Sequence, residues 1–169
     1  PTYKALHDSI MLYNPEAKVI GYLTWGRRYG GQQCVNFGDG LYCSADFIDF
    51  NHMQDTLTAA YCENAYATNS YIAPVGEAWR TALTADPNLV LHISDNSHPT
   101  YEGSHLAACA FYSVFWNKSE KKYCCYFFQK ICGISCCSCC YNLQCIYSYR
   151  QRRCSRYLSR QRKTDRRNH

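Results

Sequence analysis

The sequence is poor in charge and has no long apolar run. Asp, Glu, Lys and Arg make up only 18% of its 169 residues, while apolar residues make up 47%, which excludes a globally disordered chain. No stretch of about 18 residues is free of polar side chains, so the sequence predicts no membrane-spanning helix. Positive charge is scarce in residues 1–117, where 5 basic residues stand against 11 acidic ones. We therefore expect no specific nucleic-acid site in this part of the chain.

Residues 118–169 have the opposite composition. They hold 13 basic residues and 2 acidic ones, together with 9 of the 13 cysteines of the chain. We interpret residues 1–117 as one domain and residues 118–169 as a Cys- and Arg-rich tail that is either disordered or the product of a frameshift. The frameshift hypothesis follows from the genetic code, because cysteine codons read one base later encode alanine or valine.

A genuine tail of this composition suits three kinds of binding. Clustered thiolates bind soft metals, and palmitoylated cysteines beside basic residues hold a protein at a membrane surface. An arginine-rich arm binds nucleic acid without sequence preference. A binding module that acts through residues 118–169 is therefore the alternative to an enzyme.

Apolar positions in residues 1–117 follow helical and strand-like patterns in alternation. Helices are predicted at 3–13, 52–67, 76–83 and 101–116, short strands at 18–24, 70–75 and 89–93, and a long Gly-rich loop at 25–51. Such alternation predicts a parallel sheet with helices on both faces. Ligands bind such sheets beyond the carboxyl ends of the strands. The loop at 25–51 and the segment Asp95–His98 both follow predicted strands, so we expect both at that edge.

Asp95 and His98 are the candidate catalytic residues. A serine hydroxyl needs an imidazole to accept its proton, and the imidazole needs a carboxylate that fixes its tautomer and stabilises its cation. An aspartate three residues before a histidine supplies the last two groups. The same four residues also suit a simple turn, in which Asp95 caps the backbone and His98 lies at the surface.

Four segments occur in the order and spacing of one enzyme family. They are Leu23–Arg27 (LTWGR), Ile72–Trp79 (IAPVGEAW), Asp95–Thr100 (DNSHPT) and Gly103–Tyr112 (GSHLAACAFY). Together they resemble the C-terminal part of SGNH (GDSL-like) hydrolases, and the resemblance covers residues 3–117. It implies a three-layer α/β/α sandwich of the flavodoxin-like type with a parallel sheet, from which the N-terminal part of the domain is missing.

The resemblance also implies the chemistry, which is ester hydrolysis by a Ser-His-Asp triad without a cofactor. His98 is then the general base and Asp95 its orienting carboxylate. The family's Gly-Asp-Ser block, which carries the nucleophile, has no counterpart here, so we expect the 169-residue chain to be inactive alone. Ser9 follows an aspartate but lies within a predicted helix and lacks the glycine, so it is a poor candidate.

Further expectations concern the substrate and the compartment. Trp25 and Arg27 follow a strand and are candidates for substrate contact, with loop packing as the alternative. The substrate is expected to be a small ester, such as an O-acylated carbohydrate. Cys34 and Cys43 form a disulfide if the enzyme is secreted, as we expect, and stay thiols if it is cytosolic. No His, Cys, Asp or Glu set in residues 1–117 has metal-site spacing.

Overall fold

Helical and strand-like patterns in residues 2–116, the part of the chain that the computed structural model describes, fold into a mixed α/β unit. The helices are α1 (Thr2–Tyr13), α2 (Phe50–Thr68), α3 (Val75–Ala85) and α4 (Tyr101–Trp116). The strands are β1 (Ile20–Tyr22), β2 (Cys34–Asn36), β3 (Leu41–Cys43) and β4 (Tyr71–Ala73). All four predicted helices and the first two predicted strands are confirmed.

Strands β1 and β4 form a parallel pair. Ile20 lies opposite Tyr71 and Tyr22 lies opposite Ala73. Helices α2 and α4 both contact β4. The parallel arrangement predicted from the alternating pattern is therefore present, with two strands within residues 2–116.

The strand predicted at 89–93 is wrong. Within this segment the structure has only an isolated bridge between His92 and Pro99. The backbone of the segment bonds to the turn that follows it: Ile93 N–H donates to the His98 carbonyl at 2.9 Å, and Thr100 N–H donates to the Leu91 carbonyl at 2.8 Å. Because these groups are used locally, they are not available to a neighbouring strand.

The apolar core lies mainly between α3 and α4. Trp79 is fully buried, and Leu91 and Leu106 are 1% and 2% exposed. Gly103 of α4 lies against the Trp79 ring, where an added Cβ would be only 2.6 Å from a ring carbon. The small residue in α4 therefore makes room for the large one in α3.

Helix α2 buries only part of the face that its periodicity predicts. The predicted positions are Met53, Leu57, Ala60, Tyr61 and Ala65, of which Ala65 is buried, Met53, Leu57 and Tyr61 are half-buried and Ala60 is exposed. Gln54 and Thr58 are buried as well, at 0% and 6% exposed. Polar side chains are buried only where they find hydrogen-bond partners, and those partners belong to the candidate site described below.

The predicted loop at 25–51 contains the antiparallel hairpin β2–β3, which the sequence did not predict. A disulfide joins Cys34 to Cys43 across the open end of the hairpin, in agreement with the predicted pairing. All six strand residues are exposed. The disulfide and the ladder hydrogen bonds hold the hairpin together, with no buried side chain from either strand.

We expect the double substitution Cys34→Ser/Cys43→Ser to loosen the hairpin without unfolding the domain. An isolated two-stranded hairpin is marginally stable in water, and closing so short a loop stabilises it by about 2–3 kcal/mol. Amide hydrogen exchange at Phe37 and Ser44 should accelerate at least tenfold, while α3 and α4 keep their protection. Equal acceleration in the hairpin and in α4 would show that the disulfide supports the whole unit.

Within the described residues, no helix has both the length and the hydropathy required to cross a membrane.

Candidate functional site

Asp95 and His98 are held together by a tight turn. One carboxylate oxygen of Asp95 accepts the backbone N–H groups of Ser97 and His98, both at 2.9 Å. The other carboxylate oxygen is hydrogen-bonded to Nδ1 of the His98 ring. Asn96, between them, has φ 61°, a left-handed conformation that asparagine tolerates better than most residues. The Asp95 carboxylate therefore caps the turn, as the turn interpretation expects, and also binds the His98 imidazole, as the catalytic interpretation requires.

The hydrogen bonds make Asp95 a stable carboxylate. The bond from the His98 ring, followed by the two backbone N–H bonds, lowers the pKa of Asp95 from 3.8 to about 2. A charged Asp95 carboxylate can only accept a hydrogen bond, so His98 Nδ1 carries the proton. Nε2 is then the ring nitrogen with a free lone pair. The His98 side chain is 75% exposed, and within residues 2–116 its Nε2 has no hydrogen-bond partner. The arrangement can accept a proton from an incoming hydroxyl group.

We expect His98→Ala to raise the pKa of Asp95 towards 3.8, because it removes the largest stabilising interaction of the carboxylate. The folded-state pKa lies below the unfolded value, so this pair stabilises the fold above pH 4 and loses its effect as pH falls towards 2. Carboxyl ¹³C NMR titration measures the shift directly. An unchanged midpoint in the variant would show that the two backbone bonds alone set the pKa.

The segment Trp25–Arg28, which follows β1, is hydrogen-bonded to this turn. The Trp25 indole N–H donates to the Ser97 carbonyl at 2.9 Å, and Arg28 N–H donates to the Asn96 carbonyl at 2.9 Å. Trp25 in turn stacks on Trp79, with ring centroids 4.2 Å apart and planes 3° from parallel. The turn is thus connected to the buried core through one pair of indole rings.

His92 fixes the same segment from the core side. It is 3% exposed, and its Nε2–H donates to the Gly26 carbonyl at 2.9 Å. The ring lies edge-on to Phe50 and Trp79. Burial lowers the pKa of His92, so the ring is neutral at physiological pH. A structural role for His92 fits this environment.

The partners of Gln54 explain why α2 buries a polar side chain. Its carbonyl oxygen accepts Gly26 N–H at 2.9 Å, and its amide donates to the Thr24 carbonyl at 3.3 Å. Thr58, one turn later, donates its hydroxyl to Glu77 at 2.6 Å. Sequence reasoning missed Gln54 because a polar residue in an amphipathic helix is expected at the surface, and nothing else in the sequence marks it as buried. It ties the segment that supports the Asp95–His98 turn to α2.

The structure places Trp25 and Arg27 in this supporting segment. Trp25 is packed between the core and the turn, and Arg27 N–H contacts the Met53 sulfur at 3.2 Å. Their role in substrate contact stays a prediction. A cavity of about 430 Å³ lies beside them and is lined by Arg28, not by either of these residues nor by Asp95 or His98. The pair of adjacent arginines at positions 27 and 28 was the one feature of the sequence that could have pointed to Arg28 as a cavity residue.

No serine hydroxyl within residues 2–116 hydrogen-bonds the His98 ring. Ser9 lies in the middle of α1, where its hydroxyl donates to the Ala5 carbonyl at 3.0 Å. This agrees with its rejection as a nucleophile. The metal, membrane-surface, nucleic-acid and frameshift interpretations of residues 118–169 fall outside the described residues.

Comparisons of the chain with protein-family models, with curated proteins and with solved structures find no match.

Proposed function

We propose that Asp95 and His98 are the acid–base pair of a serine ester hydrolase of the SGNH type. The observation that carries the proposal is the hydrogen bond between the Asp95 carboxylate and His98 Nδ1 on an exposed turn. A surface histidine that served only solubility would not need a carboxylate whose other oxygen is fixed by two backbone N–H groups. The resemblance of the surrounding segments to SGNH hydrolases supports the same assignment.

In this proposal His98 Nε2 removes the proton from a serine hydroxyl as the oxygen attacks the ester carbonyl. The imidazolium then gives that proton to the departing alcohol, which leaves an acyl-enzyme. Water attacks the acyl-enzyme in the second step, with the same nitrogen as base. Asp95 stays ionised throughout and stabilises the imidazolium, consistent with its lowered pKa.

The proposal places the nucleophile and the oxyanion hole outside residues 2–116. It includes the three-layer α/β/α sandwich, of which the described parallel pair and its helices would be one part. It also includes secretion, which the Cys34–Cys43 disulfide supports because disulfides persist in oxidising compartments. Small esters, including O-acylated carbohydrates, are the proposed substrates.

A fluorophosphonate probe tests the proposal, since it labels only serines that a neighbouring base activates. The protein is expressed from the start codon of its gene, and peptide mass spectrometry identifies the labelled residue. We expect one labelled serine, and we expect His98→Ala to reduce labelling at least a hundredfold. Labelling that persists in His98→Ala, or no labelling of the parent protein, would overturn the proposal.

A further inference from the structure

Apolar residues of the core and its border form one wall of the cavity. Phe50, Leu83, Leu89 and Leu91 contribute to this wall. Its volume of about 430 Å³ falls within the range of pockets that bind small organic ligands. A single aromatic or sugar ring with a short substituent fits such a volume.

The residues that line the cavity carry positive charge, although residues 1–117 as a whole are acidic. Residues 1–117 hold 11 acidic residues and 5 basic ones, yet the lining contains two arginines and neither Asp nor Glu. One of the two, Arg80, is already compensated. Its guanidinium lies 2.7 Å from Asp55 and 3.3 Å from Glu77.

Arg28 is the uncompensated cation of the cavity. Within residues 2–116 its guanidinium makes no ion pair, and its described contact is the ring of Tyr29, 5.4 Å away. Its positive charge also contributes to the lowered pKa of His92, which lines the same cavity. A guanidinium at a pocket with both polar and apolar lining residues is well suited to bind a carboxylate in a bidentate manner.

Two residues that line the cavity also contact the Asp95–His98 turn or the residue that follows it. Arg28 lines the cavity, and its backbone N–H donates to the Asn96 carbonyl of the turn. His92 lines the cavity and forms a bridge with Pro99, directly after His98. The cavity and the turn are therefore connected through Arg28 and His92.

We propose that this cavity binds a small organic carboxylate with a ring-shaped or apolar body, and that Arg28 recognises its charge. In the enzyme, this carboxylate is the charged end of the ester substrate, such as an O-acylated uronic acid. The second statement rests on the proposed function, whereas the first does not.

Benzoate and benzyl alcohol are the probes, because they share a ring and differ in charge. Their affinities for the 169-residue chain are measured by ¹⁵N chemical-shift titration. We expect benzoate to bind at least tenfold more tightly than benzyl alcohol, with shifts at Arg28, Asn51 and His92. We expect Arg28→Gln to remove this preference, Arg28→Lys to keep part of it, and Lys18→Gln, a charge-matched control outside the cavity, to keep all of it.

Equal binding of the two probes, or a preference that survives Arg28→Gln, would overturn the carboxylate site. The variant His98→Ala should bind benzoate like the parent chain, which separates binding from catalysis. If benzoate binds through Arg28 and His98-dependent ester hydrolysis is absent, the carboxylate site stands and the substrate assignment fails. If hydrolysis is present and benzoate does not bind, only the proposed function stands.

Discussion

Replacing His98 with alanine is expected to lower kcat for p-nitrophenyl acetate hydrolysis by a factor of about 10³ or more in the protein expressed from its start codon. The substitution removes the only ring that Asp95 orients in the turn, so the serine proton has no acceptor. KM should change little, because the imidazole acts in the transition state more than in binding. Initial rates at saturating ester measure the loss.

Two further variants make the result specific. Asp95→Asn should lower kcat by about 10²–10⁴, because an amide fixes the wrong tautomer and cannot stabilise the imidazolium. His7→Ala is the matched control, because His7 also lies beside an aspartate, with its Nδ1 3.3 Å from Asp8, but on α1. We expect kcat of this control and of Ser9→Ala within twofold of the parent. Loss in His7→Ala equal to that in His98→Ala would refute the assignment.

Replacing Trp79 with alanine is expected to lower the free energy of unfolding by about 3–5 kcal/mol, the usual cost of deleting a buried large aromatic ring. Trp79 is fully buried and contacts both Trp25 and His92. Its removal therefore opens a cavity and also frees the segment that holds the Asp95–His98 turn. Urea denaturation followed by circular dichroism gives the difference.

Trp79→Phe keeps a measurable folded state if the alanine variant does not fold. It retains a ring against Gly103 and should cost about 1–2 kcal/mol. Trp116→Ala is the matched control, because Trp116 is 57% exposed, and we expect it to cost under about 1 kcal/mol. A Trp79→Ala variant no less stable than Trp116→Ala would show that the α3–α4 contact does not hold the unit together.

The sequence predicts the helices better than the strands, for a physical reason. Pro15 lies two residues after the end of α1, and the left-handed Asn69 ends α2. Such local signals act through the backbone of a few residues. The strand predicted at 89–93 fails because its apolar composition matches a strand, while its backbone groups bond to the following turn. The pairing partner of an extended segment is not written in the segment itself.

The candidate site shows the same division between local and distant information. The Asp95–His98 hydrogen bond spans three residues, and its spacing could be recognised directly. The support of the turn depends on contacts between distant segments, such as Trp25 with Ser97 and Gln54 with Gly26. A polar Gln54 looks like a surface residue until Gly26 is known to lie beside it. Periodicity therefore predicted the buried Ala65 of α2 but not the buried Gln54 and Thr58.

The parallel pairing of β1 with β4 has a consequence for the order of folding. Its register joins Ile20 to Tyr71, so forming the first contact closes a loop of about fifty residues. Local contacts, such as those within α2 and the β2–β3 hairpin, form faster than contacts between distant segments. We expect both to form first and shorten the remaining loop. The parallel pair then closes late, and the segment from Trp25 to Arg28 reaches the Asp95–His98 turn only after that step.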